Sequence, residues 1–440
     1  MKKVLIVSPH FPPFNAPDMQ RVRMSLPYYR AHGWEPVVLA VDSPWQTGVR
    51  EDELLATLPP EVRVIRTQAL PNALSRLLGI GNIGLRALPF FLWRGTRLLA
   101  AEKFDLVLFS NTQFVTFTLG RLWRRWFGVP YVIDIQDPWR TDYYERPGSR
   151  RPPGGWKYQL ARFQAWGLEG WTYREASAVM SVSPSYIADL RSRYRHFASI
   201  PAEVIGFGAS RTDLAAAVAH PVAGQSFDRT GDKIHLLYTG ASGPVMPHSL
   251  KVLFDGLRLY REVHPERAAR LRFHFIGTSY VAAGKGRPSV LPVAAACGVG
   301  DQVDEIPHRI GHLEAVRWQQ MADVLLLPGS SDLAYSPSKV YPYFLTGRPI
   351  LGLVFRDSVM ERLLDELACA FMVRYRDHEP KAEAHARLHA FFDLALAGFP
   401  PGSLPARNTD RFNRRYLAEE LTHSQCVLFE QALARSPLTI

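Results

Sequence analysis

At 440 residues the chain exceeds the roughly 250–300 at which a single hydrophobic core stops growing, so two domains are expected. A composition of 47% hydrophobic and 21% charged residues is that of a soluble globular chain, and no apolar run is long enough to cross a bilayer as a helix. The net charge of +11 and a pI near 9.6 favour anionic partners, while the lack of a zinc-finger, RRM or similar signature sets nucleic acid aside.

The opening residues MKKVLIVSPHFPP carry an apolar run too short for a signal peptide and read as a first β-strand, 4–8. Further strand-like runs, dense in Val, Ile and Leu, follow at 36–41, 62–66, 105–110, 131–135 and 178–183. Runs of this kind are buried on both faces and predict a parallel sheet covered by helices. Arg21–His32 and Leu119–Phe127 have helical spacing, with Gly33 and Gly128 as stops. Basic and bulky apolar residues interleave from Arg86 to Arg162, as in GRLWRRWFG with Arg124 and Arg125. That mixture suits either a surface resting on anionic lipid headgroups or an ordinary helix with a solvated basic face.

A segment at 214–225, LAAAVAHPVAGQ, reads as the linker. A second strand series then runs at 234–240, 271–277, 302–306, 323–329, 349–354 and 370–373, and 410–433 is amphipathic and helical. Two successive doubly wound α/β domains are expected: 1–215, then 226–409, with 410–440 as a helix packing back on the first. Cys297, Cys369 and Cys426 are few and widely spaced, which argues against disulfides or a zinc site and for buried small side chains.

Open parallel sheets bind ligands beyond the carboxyl ends of their strands. In the first such loop, SPHFPPFNAPDMQRVR, Asp18 is a candidate N-cap, and Arg21 and Arg23, with Asn15 in the loop, are candidates for holding an acceptor or a phosphate. In YVIDIQDPWR, Asp137 can position a hydroxyl or act as a base, or simply stabilise the turn before Pro138. Asp134, inside the strand, reads as structural, and Trp139 offers a stacking or packing surface. After LLYTG, Gly240 and Gly243 would let backbone N–H groups approach a phosphate, with His248 and Ser249 at the next helix start. His308 and His312 are four apart, yet Gly311 between them and the lack of a third ligand argue against a metal. In SPSKVYPYFLTGRPIL, Ser338 is a candidate N-cap and Lys339 the first helical residue, which puts Pro342 at the fourth helical position. A cation at a helix N-terminus is electrostatically unfavourable, and Lys339 there suggests an anionic ligand.

In order, SPHFPPFNAP with RVR, GWEPVVLAV, FGVPYVIDIQDPW, SAVMSVS, LLYTG, ADVLLLP and PSKVYPYFLTGRPIL resemble the bacterial glycosyltransferases of family 4, over about residues 4–364. The resemblance implies the GT-B fold, with two Rossmann-like domains facing a central cleft, and metal-independent transfer, with retention, from a nucleotide-diphosphate sugar. It implies a lipid-linked or surface-polysaccharide acceptor and no cofactor beyond the nucleotide sugar. It also implies a location in the cytoplasm, peripheral on the membrane's inner face. Lys339 matches the lysine of the family's P-x-K-x-x-E-Y-L-A-x-G-x-P-I pattern, with Pro337, Tyr343, Gly347 and Pro349 in register. On this match Lys339, Ser338, Tyr343, Gly240 and Gly243 would face the donor, and Asp137 would act at the reaction centre. The two glutamates of the family's E-x7-E pair are replaced by Ala334 and Pro342. The loop NTQFVTFT has no histidine, and Gln136 stands where relatives have an arginine. These departures leave a second expectation, a catalytically silent GT-B protein that binds a glycan or a partner enzyme.

Overall fold

The computed structural model describes residues 1–77, 81–140, 155–219, 231–242, 246–279, 286–333, 335 and 337–435. It divides into two units. Unit 1 is Met1–Phe207 with Ala418–Ile440, and unit 2 is Gly208–Leu417.

The sheet of unit 1 is built from β1 (Lys2–Val7), β2 (Trp34–Val41), β3 (Arg63–Thr67), β4 (Leu106–Ser110), β5 (Tyr131–Ile135), β6 (Ala178–Ser181) and β7 (Ala202–Val204). Their order across the sheet is β3-β2-β1-β4-β5-β6-β7, all parallel. Side chains alternate between faces along a strand, and both faces are covered. Val4 and Ile6 join Phe11, Val22 and Phe429 in one core layer, while Leu5 and Val7 join Phe91, Phe109 and Trp123 in the other. Continuous apolar strands therefore mark double burial here, as the sequence pattern predicts.

Unit 2 repeats the plan with β8 (Ile234–Thr239), β9 (Leu271–Ile276), β10 (Val303–Ile306), β11 (Val324–Pro328), β12 (Ile350–Phe355) and β13 (Phe371–Tyr375). Its parallel order is β10-β9-β8-β11-β12-β13. Leu236 and Tyr238 face one core layer and Leu237 the other. In each unit the order reverses once, between β1 and β4 and between β8 and β11. The loops leaving those four strands are where an open α/β sheet receives a ligand.

Several helices depart from expectation. Over 21–32 only α1 (Gln20–Ser25) is α-helical, followed by a 3-10 turn at Tyr29–His32 that ends on left-handed Gly33. Pro27, which has no N–H and disfavours a helical residue before it, interrupts the run. Helix α2 (Ile83–Ala101) and α3 (Thr118–Phe127) follow, the latter stopped by Gly128 at φ 70°. Helices α4 (Trp156–Tyr173) and α5 (Pro184–Arg193) complete the covering of unit 1 before the chain passes into unit 2. The expected linker is in its first part helical: α6 (Arg211–Ala219) belongs to unit 2, where Asp213 meets His312 Nε2 at 2.7 Å. The rest of it, from 220, lies outside the described residues. The final amphipathic stretch is two helices, α7 (Thr409–Tyr416) in unit 2 and α8 (Ala418–Arg435) in unit 1, separated by extended Leu417. All three cysteines are free and buried, and no helix among the described residues is long and apolar enough to cross a membrane.

Candidate functional site

At the switch point of unit 2, the chain leaves β8 through Gly240 and returns after β11 to the helix Val340–Thr346. Lys339 is the residue just before that helix, and its side chain passes over Gly240. A Cβ at Gly240 would collide with Lys339 Cε and come 2.9 Å from Nζ, and the backbone there has φ 140°. Only glycine suits both the space and the dihedral. Burial lowers the pKa of Lys339 from that of an ordinary lysine, and the guanidinium of Arg309, from the loop after β10, lowers it further. No carboxylate among the described residues contributes to that shift. Burying an ammonium is costly unless an anion meets it. Lys339 is therefore the cation in this unit that a phosphate group would complete.

The remaining residues expected in the donor site are placed otherwise. The Gly240 N–H donates to Ile276 O at 2.9 Å, so this glycine makes room for a cation rather than offering its own donor. Gly243 lies outside the described residues. Tyr343 is fully buried, and its hydroxyl meets Thr239 N at 3.0 Å and Thr239 Oγ1 at 3.4 Å. It fixes the end of β8, just before Gly240, and burial pushes its phenol up to about 12. Ser338 is exposed and caps nothing, because the helix starts at Val340 with Lys339 at the cap position. Pro342 is consequently the third helical residue, where the missing N–H has no helical acceptor to lose. His248 pairs with Asp377 at 2.6 Å, Ser249 Oγ donates to Gly329 O at 2.8 Å, and Lys251 pairs with Asp255 at 2.8 Å.

At the switch point of unit 1, β1 leads into Ser8-Pro9-His10 and β4 into Asn111-Thr112-Gln113. Asp18 is not an N-cap: the 3-10 turn Pro17–Met19 starts from Ala16 without a side-chain cap. Instead Asp18, 4% exposed, accepts from His10 Nδ1 at 2.9 Å, from Thr112 Oγ1 at 3.0 Å and from Thr112 N at 3.3 Å. Burial pushes its carboxyl up, but the His10 contact and the Thr112 bonds outweigh this and hold it below the usual value. A histidine with Nδ1–H on a carboxylate has Nε2 as its basic nitrogen. Asp137 stands nearby and open to solvent. Partial desolvation, then the charge of Asp18, raises its pKa.

Arg21, Arg23 and Asn15 are committed to unit 1 itself, contrary to the expectation of a phosphate or acceptor site. Arg21, buried, pairs with Asp134 at 2.9 Å and donates to Ile205 O at 2.7 Å. Arg23, 1% exposed, donates to Gln20 Oε1 at 2.7 and 2.9 Å and to Thr57 Oγ1 at 2.9 Å. Asn15 donates to Glu51 at 3.0 Å and accepts from Gln20 at 3.1 Å. The helix carrying the two arginines is one and a half turns long and packed inward on both flanks, so no solvated face remains for them. Asp134 is structural as read: Ser110 Oγ and Gln136 Nε2 also donate to it, at 2.7 and 3.0 Å.

The loop bearing Asp137 is fixed from two sides. Trp139 stacks on Phe114, with ring centroids 5.8 Å apart. Arg140 N donates to Glu169 Oε2 of α4 at 3.0 Å, and Arg140 Nη1 meets the Tyr194 hydroxyl at 3.1 Å. Buried Glu169 also receives Arg193 and Tyr194, while burial raises its pKa. Sequence reasoning passed over His10, Arg309 and Glu169. His10 alone left a signal there, as a histidine three residues past the end of a strand at the sheet's reversal.

Residues 20–208 match the family model described as a glycosyl transferase 4-like domain, and no curated protein matches the chain. Among solved structures, Anabaena HepE in complex with UDP-glucose is similar at 13% identity and a TM-score of 0.55, covering 97% of this chain and 98% of that one. The alpha,alpha-trehalose 6-phosphate synthase of Burkholderia multivorans is similar at 9% identity and 0.54, covering 100% and 98%. The N-terminal domain of Candida albicans trehalose-6-phosphate phosphatase is similar at 11% identity and 0.54, covering 98% and 97%. The chain has the GT-B fold, and its residues 20–208 match the glycosyl transferase 4-like domain.

Proposed function

We propose that this protein transfers a glycosyl group from a nucleotide-diphosphate sugar to a lipid-linked or surface-polysaccharide acceptor. The observation that carries the reading is the pair of cations at the switch point of unit 2, Lys339, whose side chain lies over Gly240, and Arg309, whose charge acts on it. Its two charges would neutralise the departing diphosphate, so the scheme needs no metal. Binding of UDP-glucose by Anabaena HepE supports a nucleotide sugar as the donor class. Asp137 would hold a hydroxyl of the acceptor.

Retention is the course that the family resemblance implies. The His10–Asp18 pair favours a second course, direct displacement with inversion. There the acceptor hydroxyl oxygen bonds to the anomeric carbon, its proton passes to His10 Nε2, and the nucleoside diphosphate leaves with the electron pair of the broken C–O bond. Asp18 would steady the resulting imidazolium.

Calorimetry with a panel of nucleotide sugars, nucleoside diphosphates and free nucleosides tests the donor reading. Diphosphates should bind, nucleosides should bind far more weakly, and chelators should change nothing. Absence of any nucleotide binding would leave the silent, glycan-binding or partner-binding protein as the better account, consistent with Ala334 and Pro342 at the two glutamate positions.

A further inference from the structure

The outer face of α4 gathers three large exposed apolar side chains of unit 1. Leu160 is 58% exposed, Phe163 75% and Trp166 66%. At 100° per residue these three fall within one third of the helix circumference. Five consecutive positions, 159–163, are exposed, so the early turns of the helix stand proud of the unit as a convex ridge. Soluble chains seldom leave three such side chains together in water without an occupant.

The charges beside the ridge choose the occupant. Arg162 lies on the flank next to Trp166, and the guanidinium of Arg140, which keeps further donors beyond its 3.1 Å contact with the Tyr194 hydroxyl, sits 6.0 Å from the Trp166 ring centroid. The one acid of the helix, Glu169, is buried and held by Arg193 and Tyr194. Tryptophan, phenylalanine and leucine flanked by arginine, with no exposed acid on the helix, match the headgroup zone of an anionic bilayer, where aromatic rings sit below the phosphates that the arginines meet. The basic pair expected from sequence to do this is occupied: Arg125 pairs with Glu175 at 2.7 Å, and Arg124 donates to Glu175 O and Ser177 Oγ at 2.6 and 2.8 Å.

We infer that α4 is a membrane-docking element that inserts Leu160, Phe163 and Trp166 into an anionic lipid surface. Because Glu169 on the inner side of the same helix holds Arg140 N, docking would set the lipid surface beside the Asp137 loop. That consequence deepens the lipid-linked acceptor reading and rests on it, whereas the docking itself does not.

The test is flotation of the full chain with phosphatidylglycerol–phosphatidylcholine vesicles and with pure phosphatidylcholine vesicles. Wild-type protein should float with the anionic vesicles at low salt and several-fold less at 0.5 M salt, where the Debye length falls to about 4 Å. Phe163→Ser with Trp166→Ser should lower the bound fraction at least tenfold, with unchanged circular dichroism and thermal unfolding because both side chains are exposed. Equal binding by this variant, equal binding to neutral vesicles, or a homodimer by sedimentation that the variant abolishes would each overturn the inference. Transfer to a water-soluble acceptor, if it persists in the variant, separates failure of docking from failure of the donor reading.

Discussion

Lys339→Met separates stability from binding in opposite directions. The folded protein holds this ammonium away from water, near Arg309, with no compensating carboxylate among the described residues. Methionine keeps the volume and removes the charge, so unit 2 should gain stability, by about 0.5–2 kcal/mol for a substitution of this kind. In a unit of this size each kcal/mol raises the unfolding midpoint by roughly 2–4 °C. The difference should depend on pH. The folded pKa lies below the unfolded 10.5, so between the two values the unfolded chain binds more protons and wild-type stability rises with pH. The penalty is full below the folded pKa, and the gap between wild type and variant should close as pH approaches 10.5. Nucleotide binding should move the other way. A charge-assisted contact to phosphate is worth about 1.5–3 kcal/mol, so the variant should bind a nucleoside diphosphate roughly 10–150-fold more weakly. Differential scanning calorimetry and titration calorimetry read the two effects. Unchanged nucleotide affinity, or a lower unfolding temperature for unit 2, would refute the reasoning.

Gly240→Ala should cost roughly 1–3 kcal/mol of stability, because φ at this position is 140°, and should also weaken nucleotide binding by displacing the Lys339 ammonium. A variant with lowered stability but wild-type affinity would show that the ammonium has no ligand. His10→Gln should lower glycosyl transfer about 10²–10⁴-fold with little change in nucleotide affinity, if His10 accepts the proton. NMR of the product should then give the inverted anomer in the wild type, and a retained anomer counts against His10 as the base. Unit 2 should lose stability in mild acid. Its His274 imidazole, part-buried and lowered by that desolvation to about 4, faces Asp304 at 3.3 Å, His235 at 3.0 Å and Arg272. The unfolded histidine binds its proton first, so up to roughly 3 kcal/mol is lost as pH falls from about 6.5 to about 4. His274→Asn should flatten that limb of a stability-against-pH curve, and an unaltered slope would assign the acid lability elsewhere.

The strands were legible in the sequence because a strand buried on both faces is written as an unbroken apolar run: the run at 131–135 coincides with an observed strand, and that at 234–240 overruns its strand, Ile234–Thr239, by one residue. Short Ala202–Val204 was missed because an edge strand with half-exposed side chains has no such run. Helix interruptions were harder to read: Pro27 and Leu417 break patterns whose apolar spacing continues across them. In the candidate sites, Lys339 and Gly240 were found through local motifs, yet their contact was not, since 99 residues separate them. Arg309 lies in a loop with no signature of its own. Arg21 and Arg23 were misread for the opposite reason. Arginine near a ligand loop suggests an anion, but their partners, Asp134 and Thr57, come from distant strands and turns that local sequence does not connect to them.

The last helix of the chain gives unit 1 a particular history. Tyr29 hydrogen-bonds Gln425 at 2.8 Å, Trp34 meets Phe429 edge-on at 5.2 Å, and Lys2 pairs with Glu430. During synthesis, the residues of unit 2 leave the ribosome before α8 does. The first unit to be translated is thus the second to be finished, and until residue 429 emerges its Trp34 and Tyr29 lack their covering ring. A nascent chain in this interval presents a waiting apolar surface, so chaperone dependence should be concentrated in the first unit and should last until α8 has emerged.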